Sequence, residues 1–558
     1  MDRKKAAKKQ LRGFPGFQPG YLGSAVILLF LTLCGSVTAF EIPTGIDNII
    51  LRWDNTFRYN LGYRLTDPSD ALLKNVNMDD GNRNFDKAIV SNRLDILSEF
   101  DIQYKRRYGA RISAAGWYDN AYEGSLENQS VATSNHMENG LPALGINDTT
   151  KFYHRGPNGE ILDAFVFGSI DFGNVPVNMR LGRMSIVWGE SLFSLTHGIG
   201  YAQVPLDALK GAAVPGVEVK ELYRPVFNAY AQAQLASNLS IAAQWKLQWE
   251  PNRIPEAGSY YSSSDMLLGA GETLISGPIR FRKADDAQPT GKGDWGVMVR
   301  WSPDCFKENG AIGLYYRRLS DTSPQLILNP FMLQYYAAYG DAIDLYGISF
   351  TRQILSTSLG AEVSYRRNMP LNGDTAISAV RPKEGELFGP RGNTMHAVLN
   401  AIIPWSKPFD AKFTRIDLAT ISTEVYWSRW DSVSQGYNLF KGRPSYTAMD
   451  RVTENNAGIT VAFTPSWYSF LPGWDLSMPI TYGAGLYGNS AVAGGGSEHA
   501  GSYSFGFVLD GFARYNFSLK YSNYFGEYDV GPTGALRTTN GATLFDRGTI
   551  LFTFKTTL

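Results

Sequence analysis

Beyond residue 39 the chain has no apolar run of transmembrane-helix length, for which roughly 20 consecutive apolar residues are needed. It has only two cysteines, Cys34 and Cys305, and the first lies in the N-terminal apolar stretch. With that stretch removed one cysteine remains, which excludes an internal disulfide framework. Histidine is scarce: His136, His154, His197, His396 and His499, with no pair at metal-ligand spacing. Neither sign of charge dominates, with 52 basic and 52 acidic residues, so nothing marks a nucleic-acid partner. No nucleophile, base and orienting group are nominated together, so the chain is not expected to be an enzyme. Gly494-Gly495-Gly496 reads as a flexible loop tip and not a phosphate cradle, because no strand–loop–helix frame surrounds it.

What is present begins at the N-terminus. Arg3, Lys4, Lys5, Lys8, Lys9 and Arg12 precede the apolar run Leu22–Gly35, and Val37-Thr38-Ala39 closes it with small residues. A basic region, a short apolar run and a V-x-A end form a secretory signal, so residues 1–39 are expected to be cleaved. Leu33 before Cys34 does not fit a lipidation site. The remaining chain, 40–558, carries 46 basic and 51 acidic residues and is expected to be one domain. The whole chain has 31 Tyr, 31 Phe, 12 Trp and 57 Gly, a composition that suits an exported membrane barrel.

Period-two alternation is the main structural signal. Leu239, Ile241, Ala243, Trp245, Leu247 and Trp249 share one face of a strand, and Ser240, Gln244, Lys246, Gln248 and Glu250 the other. The same pattern recurs around residues 51–59, 358–366 and 502–509. Eighteen such segments can be drawn, and connections between them alternate between short turns and long loops. Long outer loops and short periplasmic turns are the rule for outer-membrane barrels. The expected fold is a transmembrane antiparallel β-barrel of about eighteen strands, sixteen to twenty being compatible with the same pattern. The alternating terminal strand Ile550, Phe552, Phe554, Leu558 is similar to the signal read by the barrel assembly machinery, and the outer face requires outer-membrane lipid.

Several blocks resemble one family. They are Asp79–Asp86 (DDGNRNFD), Val90-Ser91-Asn92, Leu181-Gly182-Arg183, Trp188-Gly189-Glu190-Ser191, Val214–Glu221 (VPGVEVKE), Trp249–Pro255 (WEPNRIP) and Glu362–Arg366 (EVSYR). They are similar to the proteobacterial outer-membrane family catalogued as domain of unknown function 1302. The resemblance implies an outer-membrane location in a Gram-negative bacterium. It also implies association with a periplasmic lipid-carrier-like protein and an inner-membrane transporter of the resistance-nodulation-division type, and so traffic of a hydrophobic molecule. It carries no assigned site.

The segment 188–224 is less polar than a solvent loop should be. It is expected to fold into the lumen as a constriction, with Trp188, Glu190, Phe193, His197, Tyr201, Leu206, Lys220 and Glu221 as candidate lining and Arg183 just before it. By alternation Arg52, Arg58, Arg180, Lys246 and Arg366 face the lumen, with Asp54, Glu250 and Glu362. Such charges either tune selectivity or neutralise one another. Asp80, Asn82, Asn84 and Asp86 form an incomplete calcium-loop pattern, since Phe85 stands where a Gly is needed and no bidentate Glu follows; an Asx-rich turn is the alternative. The expected function is passage of a hydrophobic or amphipathic small molecule. Two other classes stay open, a general polar-solute porin and a sealed barrel that acts as a scaffold.

Overall fold

Alternating side chains commit each strand to one polar and one apolar face, and closing the sheet hides its edges. The computed structural model describes residues 40–558 except 87–88, 125, 215–216, 218, 268, 290–292, 307–308, 407–415, 532–535 and 540–541. The expected signal segment 1–39 lies outside the described residues. Eighteen antiparallel strands form the wall: β1 Ile49–Arg64, β2 Ile89–Tyr104, β3 Tyr108–Asp119, β4 Asn158–Phe172, β5 Val175–Met184, β6 Val226–Ala236, β7 Leu239–Lys246, β8 Trp295–Trp301 and β9 Gly310–Leu319. They continue with β10 Ile343–Ile354, β11 Thr357–Pro370, β12 Arg391–Ser406, β13 Leu418–Gln435, β14 Asn455–Leu471, β15 Trp474–Ser477 and Ile480–Tyr487, β16 Gly501–Gly511, β17 Tyr515–Phe525 and β18 Thr549–Thr557. Pro479, which has no amide proton to donate, lies at the break in β15.

The sheet closes where Thr56–Arg64 of β1 pairs with Thr549–Thr557 of β18. Beyond that ladder Asn55 and Leu558 exchange two backbone hydrogen bonds, and a short strand Phe40–Ile42 runs beside Leu51–Trp53. Residues 40–42 and Leu558 therefore share the rim that carries the short turns.

The barrel is inverted relative to a soluble protein. In β7, Ile241 and Trp245 on the outer face are 40% and 53% exposed, while Lys246 on the inner face is 3% exposed. Outward Ile112, Val166, Leu181, Leu314, Ile348, Leu399 and Phe505 continue an apolar belt. Exposed Trp53, Tyr104, Tyr108, Phe172, Trp301 and Trp405 line its short-turn rim. A bilayer supplies the apolar solvent this face needs, and aromatic girdles mark its interfaces.

One strand end departs from the alternation for a local reason. β7 ends at Lys246 and not Glu250, because Trp249 turns away to donate to the Asp321 carbonyl (3.2 Å) and pack on Tyr339. β18 starts at Thr549, after Asp546 and Arg547, which are drawn into the rim. The turn between β16 and β17 occupies 512–514.

The long loops are themselves structured. Strands Thr273–Ser276, Ile279–Lys283, Gln334–Ala338, Gln325–Asn329 and Ala376–Ile377, from three different loops, form a five-stranded sheet. A second cluster packs Phe85, Tyr122, Ile146, Tyr260 and Tyr261. Here the DDGNRNFD block forms a helical turn, Asp80–Asn84, whose residues serve as a hub. Asn82 Oδ1 accepts from Arg64 (2.8 Å) and from Arg547, and both guanidiniums lie over the Tyr260 ring. Asn84 donates to the Gly258 carbonyl at 2.8 Å, and Asp86 lies beyond the turn. The calcium expectation is thereby corrected: an oxygen shared by two guanidiniums cannot ligate a cation. Among the described residues no three His, Cys, Asp or Glu side chains are grouped to hold a metal ion.

Asp80 and Asp265 meet inside this loop layer. The Asp80 amide donates to Asp265 Oδ2 (3.1 Å) and Asp80 Oδ2 accepts from the Asn135 amide (2.9 Å). Burial raises both carboxyls, assisted by Asp265 acting on Asp80 and by Asp79 acting on Asp265. An acid whose folded pKa lies above its unfolded value of about 3.9 favours the fold while protonated, and that contribution is lost as pH rises above the unfolded value. The loop layer is therefore expected to loosen between about pH 4.5 and about pH 8. Hydrogen exchange of residues 256–272, corrected for intrinsic rates, should rise across that range in the wild type and much less in Asp265→Asn. Equal pH dependence in both proteins contradicts this reading.

Candidate functional site

Within the connection between β5 and β6, residues 188–202 enter the barrel and are held there largely through their backbone. Glu362, inward on β11, accepts the amides of Glu190, Ser191 (2.9 Å) and Ile199 (2.6 Å). Glu424, inward on β13, accepts the amides of Leu192 (2.6 Å), Phe193 (3.0 Å) and Ser194, and the Ser191 hydroxyl (3.3 Å). The carbonyls of the same segment meet guanidiniums. Arg366 donates to Thr196 (2.8 Å) and Gly198 (2.9 Å), and Arg317 donates to Ile199 (2.6 Å) and Tyr201 (2.8 Å). Hydrogen bonds to charged groups contribute about 1.5–3 kcal/mol each.

Close approach makes this possible. Gly189 adopts φ +101°, which disfavours a side chain, and a Cβ there would strike the Glu362 carboxylate. On the wall, a Cβ at Gly296 would stand 2.9 Å from the Trp188 ring, and one at Gly347 would stand 2.8 Å from Ile199. The WGES and EVSYR blocks are thus two sides of one contact.

The other side chains of the first half complete the seat. Trp188 packs on Tyr315, and its amide donates to Gln203 Oε1 at 2.7 Å. Glu190 pairs with Arg300 at 3.2 Å, and Tyr201 donates to Asp321 at 2.6 Å. Lys246 donates to the Ala202 carbonyl (3.0 Å) and lies 3.4 Å from Asp294. His197 stacks on Tyr426 with ring centroids 4.2 Å apart. Its Nε2 must donate to the Gly495 carbonyl (2.9 Å), so its Nδ1 accepts from His396 Nδ1–H (3.0 Å), and His396 Nε2 accepts from Thr394 (2.9 Å). The contact between the two Nδ1 atoms requires at least one of these imidazoles to be neutral. Gly495 is accordingly packed against the segment and is not an idle loop tip.

The second half ties to the opposite side of the barrel. A helical turn, Val219–Leu222, brings Glu221 to Arg58 (2.6 Å, both buried) and Lys220 to Glu99 (2.7 Å). Lys210 and Arg253 share Glu160 at 3.0 and 2.8 Å. Two side chains remain conspicuous, Leu192 and Phe193, which are 40% and 42% exposed at the tip of the segment.

The structure does not bring all the sequence candidates to this place. Arg183 shares the outward parity of Leu181 and pairs at the rim with Glu250 (3.2 Å), which lies past the end of β7. Leu206 sits in the loop layer, bridged to Tyr223, and its amide donates to Asn252 (2.8 Å). Arg52 and Arg180 face inward on β1 and β5, Arg180 over the Phe165 ring at 6.0 Å; among the described residues neither makes an ion pair. Glu424, Arg317, His396 and Asp321 were not singled out from the sequence. Their parity was readable, but their partners lie over 100 residues away and only the strand register brings them together.

The family model described as Protein of unknown function (DUF1302) matches residues 21–558, and the chain belongs to that family. No curated protein matches its sequence. The fold is similar to OccAB4 of Acinetobacter baumannii, at 9% identity and a TM-score of 0.40 over 91% of this chain and 98% of that one. It is likewise similar to OpdK of Pseudomonas aeruginosa, solved with vanillate (10% identity, TM-score 0.39, 91% and 98% covered). A BenF-like porin of Pseudomonas fluorescens Pf-5 gives 10% identity and a TM-score of 0.40 over 91% and 98% of the two chains. The chain is an outer-membrane β-barrel of a Gram-negative bacterium.

The two carboxylates make separable contributions. Glu362→Gln is expected to speed exchange of the amides of 190, 191 and 199 by about tenfold or more, and Glu424→Gln those of 192–194, since each loses charge-assisted bonds. Exchange unchanged at both sets would show that packing alone seats the segment.

Proposed function

We propose that this barrel passes a hydrophobic or amphipathic small molecule across the outer membrane, with residues 188–204 as the constriction. The observation that supports this reading is the apolar tip Leu192-Phe193, fixed on the wall carboxylate Glu424 and left uncovered. Uncovered apolar surface costs about 25 cal/mol per Å² in water, and an apolar solute passing the tip relieves that cost. A path for polar solutes alone has no use for such a tip. The mechanism is facilitated diffusion past a segment held by its backbone. A periplasmic lipid-carrier-like protein and an inner-membrane transporter of the resistance-nodulation-division type belong to the same proposal, as the partners that hand the molecule on or deliver it.

Planar-bilayer recordings of the full barrel, with and without residues 190–222, test it. Little steady ion current in the wild type and a large current after deletion are expected. Large steady current in both proteins would replace this reading with a polar-solute porin, and silence in both would replace it with a sealed scaffold.

A further inference from the structure

The inward charges around most of the wall are compensated. Arg58 meets Glu221, Lys246 meets Asp294, Glu160 meets Arg253, and Glu362, Glu424 and Arg366 are taken up by the backbone of the lumen segment. Lys520, like Arg52 and Arg180, has no ion-pair partner among the described residues. It lies at the middle of β17, and its ladder partners Gly506 and Leu551 fix it on the inner face, since Phe505, Phe507, Leu519 and Phe552 are all exposed outside. Among the described residues no carboxylate stands within 4 Å of it. Gly506 opposite presents no side chain to cover it.

Besides Leu551 on β18, three hydroxyls lie beside it. Ser518 and Ser522 flank it two residues away on the same face, and Ser504 lies diagonally across on β16. All three are partly exposed, and among the described residues none makes a side-chain hydrogen bond. An ammonium with three donors and three free hydroxyls is the chemistry that receives a carboxylate, whose two oxygens accept up to four bonds. The strand order sets β17 four strands from β13, where Glu424 fixes Leu192 and Phe193, so the cationic patch and the apolar tip occupy the same half of the lumen.

We infer that Lys520, with Ser504, Ser518 and Ser522, forms a lumen site for the head group of an amphipathic carboxylate whose apolar body lies along Leu192 and Phe193. This rests on the passage reading above and narrows its substrate class to anions with a short apolar body.

The test is equilibrium binding of hexanoate and of hexanamide, its neutral isostere, to the full barrel in a non-ionic detergent at low salt. The wild type is expected to bind hexanoate about tenfold tighter than hexanamide. Lys520→Gln should bring that ratio to about one, and Lys520→Arg should retain most of it. Hexanamide affinity and heat-modifiable electrophoretic mobility should be unchanged in both variants, which shows that the barrel is intact. No preference in the wild type, or a preference that survives Lys520→Gln, overturns the inference. Because binding is read without current, failure here is distinct from failure of the constriction, which the deletion recordings alone decide.

Discussion

Six backbone amides of one loop converge on two wall carboxylates, Glu362 and Glu424, and the arrangement of the lumen depends on that convergence. A loop crossing the inside of a barrel leaves its amides and carbonyls without the partners of a regular element. Here the wall supplies them: carboxylates for the amides, Arg317 and Arg366 for the carbonyls. The wall thereby grips the backbone of the loop and leaves its tip side chains, Leu192 and Phe193, free to face whatever passes. The charges also balance locally, anionic groups beside cationic ones, so the contact is strong without leaving a large uncompensated field.

The same logic explains why the barrel can afford a polar interior. The inward charges that meet the segment, Arg317, Arg366, Glu362, Glu424 and Lys246, each have a partner of opposite sign or a backbone dipole, which offsets the cost of partial dehydration. Outside, the apolar belt faces lipid and needs no partners. The β14–β18 sector follows a different rule. Its inner face carries serines, Gly506 and Leu551 around Lys520, and the loop contacts described above do not involve Lys520.

Much of this was legible in the sequence, for physical reasons. A strand of a lipid-embedded barrel must alternate, so all eighteen strands and the face of Arg58, Lys246, Glu362 and Arg366 could be read from local pattern. The apolar content of 188–224 marked it as a segment needing a packing partner. What could not be read was pairing at a distance: Glu424 looks like any other inward polar residue until the register sets it beside Leu192–Ser194. Arg183 and Leu206 went astray because nearness in sequence to the segment says nothing of parity or height. Asp80, Asn82, Asn84 and Asp86 imitate a cation loop because clustered Asx oxygens suit guanidiniums as well as calcium, and Arg64 and Arg547 come from opposite ends of the chain.

The most direct test of the account is the single-channel conductance of the double variant Glu362→Gln, Glu424→Gln, which keeps every residue of the loop and removes only the two charges that hold it. The account predicts frequent openings of a size approaching that of the barrel without the loop, in a protein whose folding is unchanged. A double variant as closed as the wild type would show that the carboxylates do not hold the constriction, and the backbone grip would cease to be its basis.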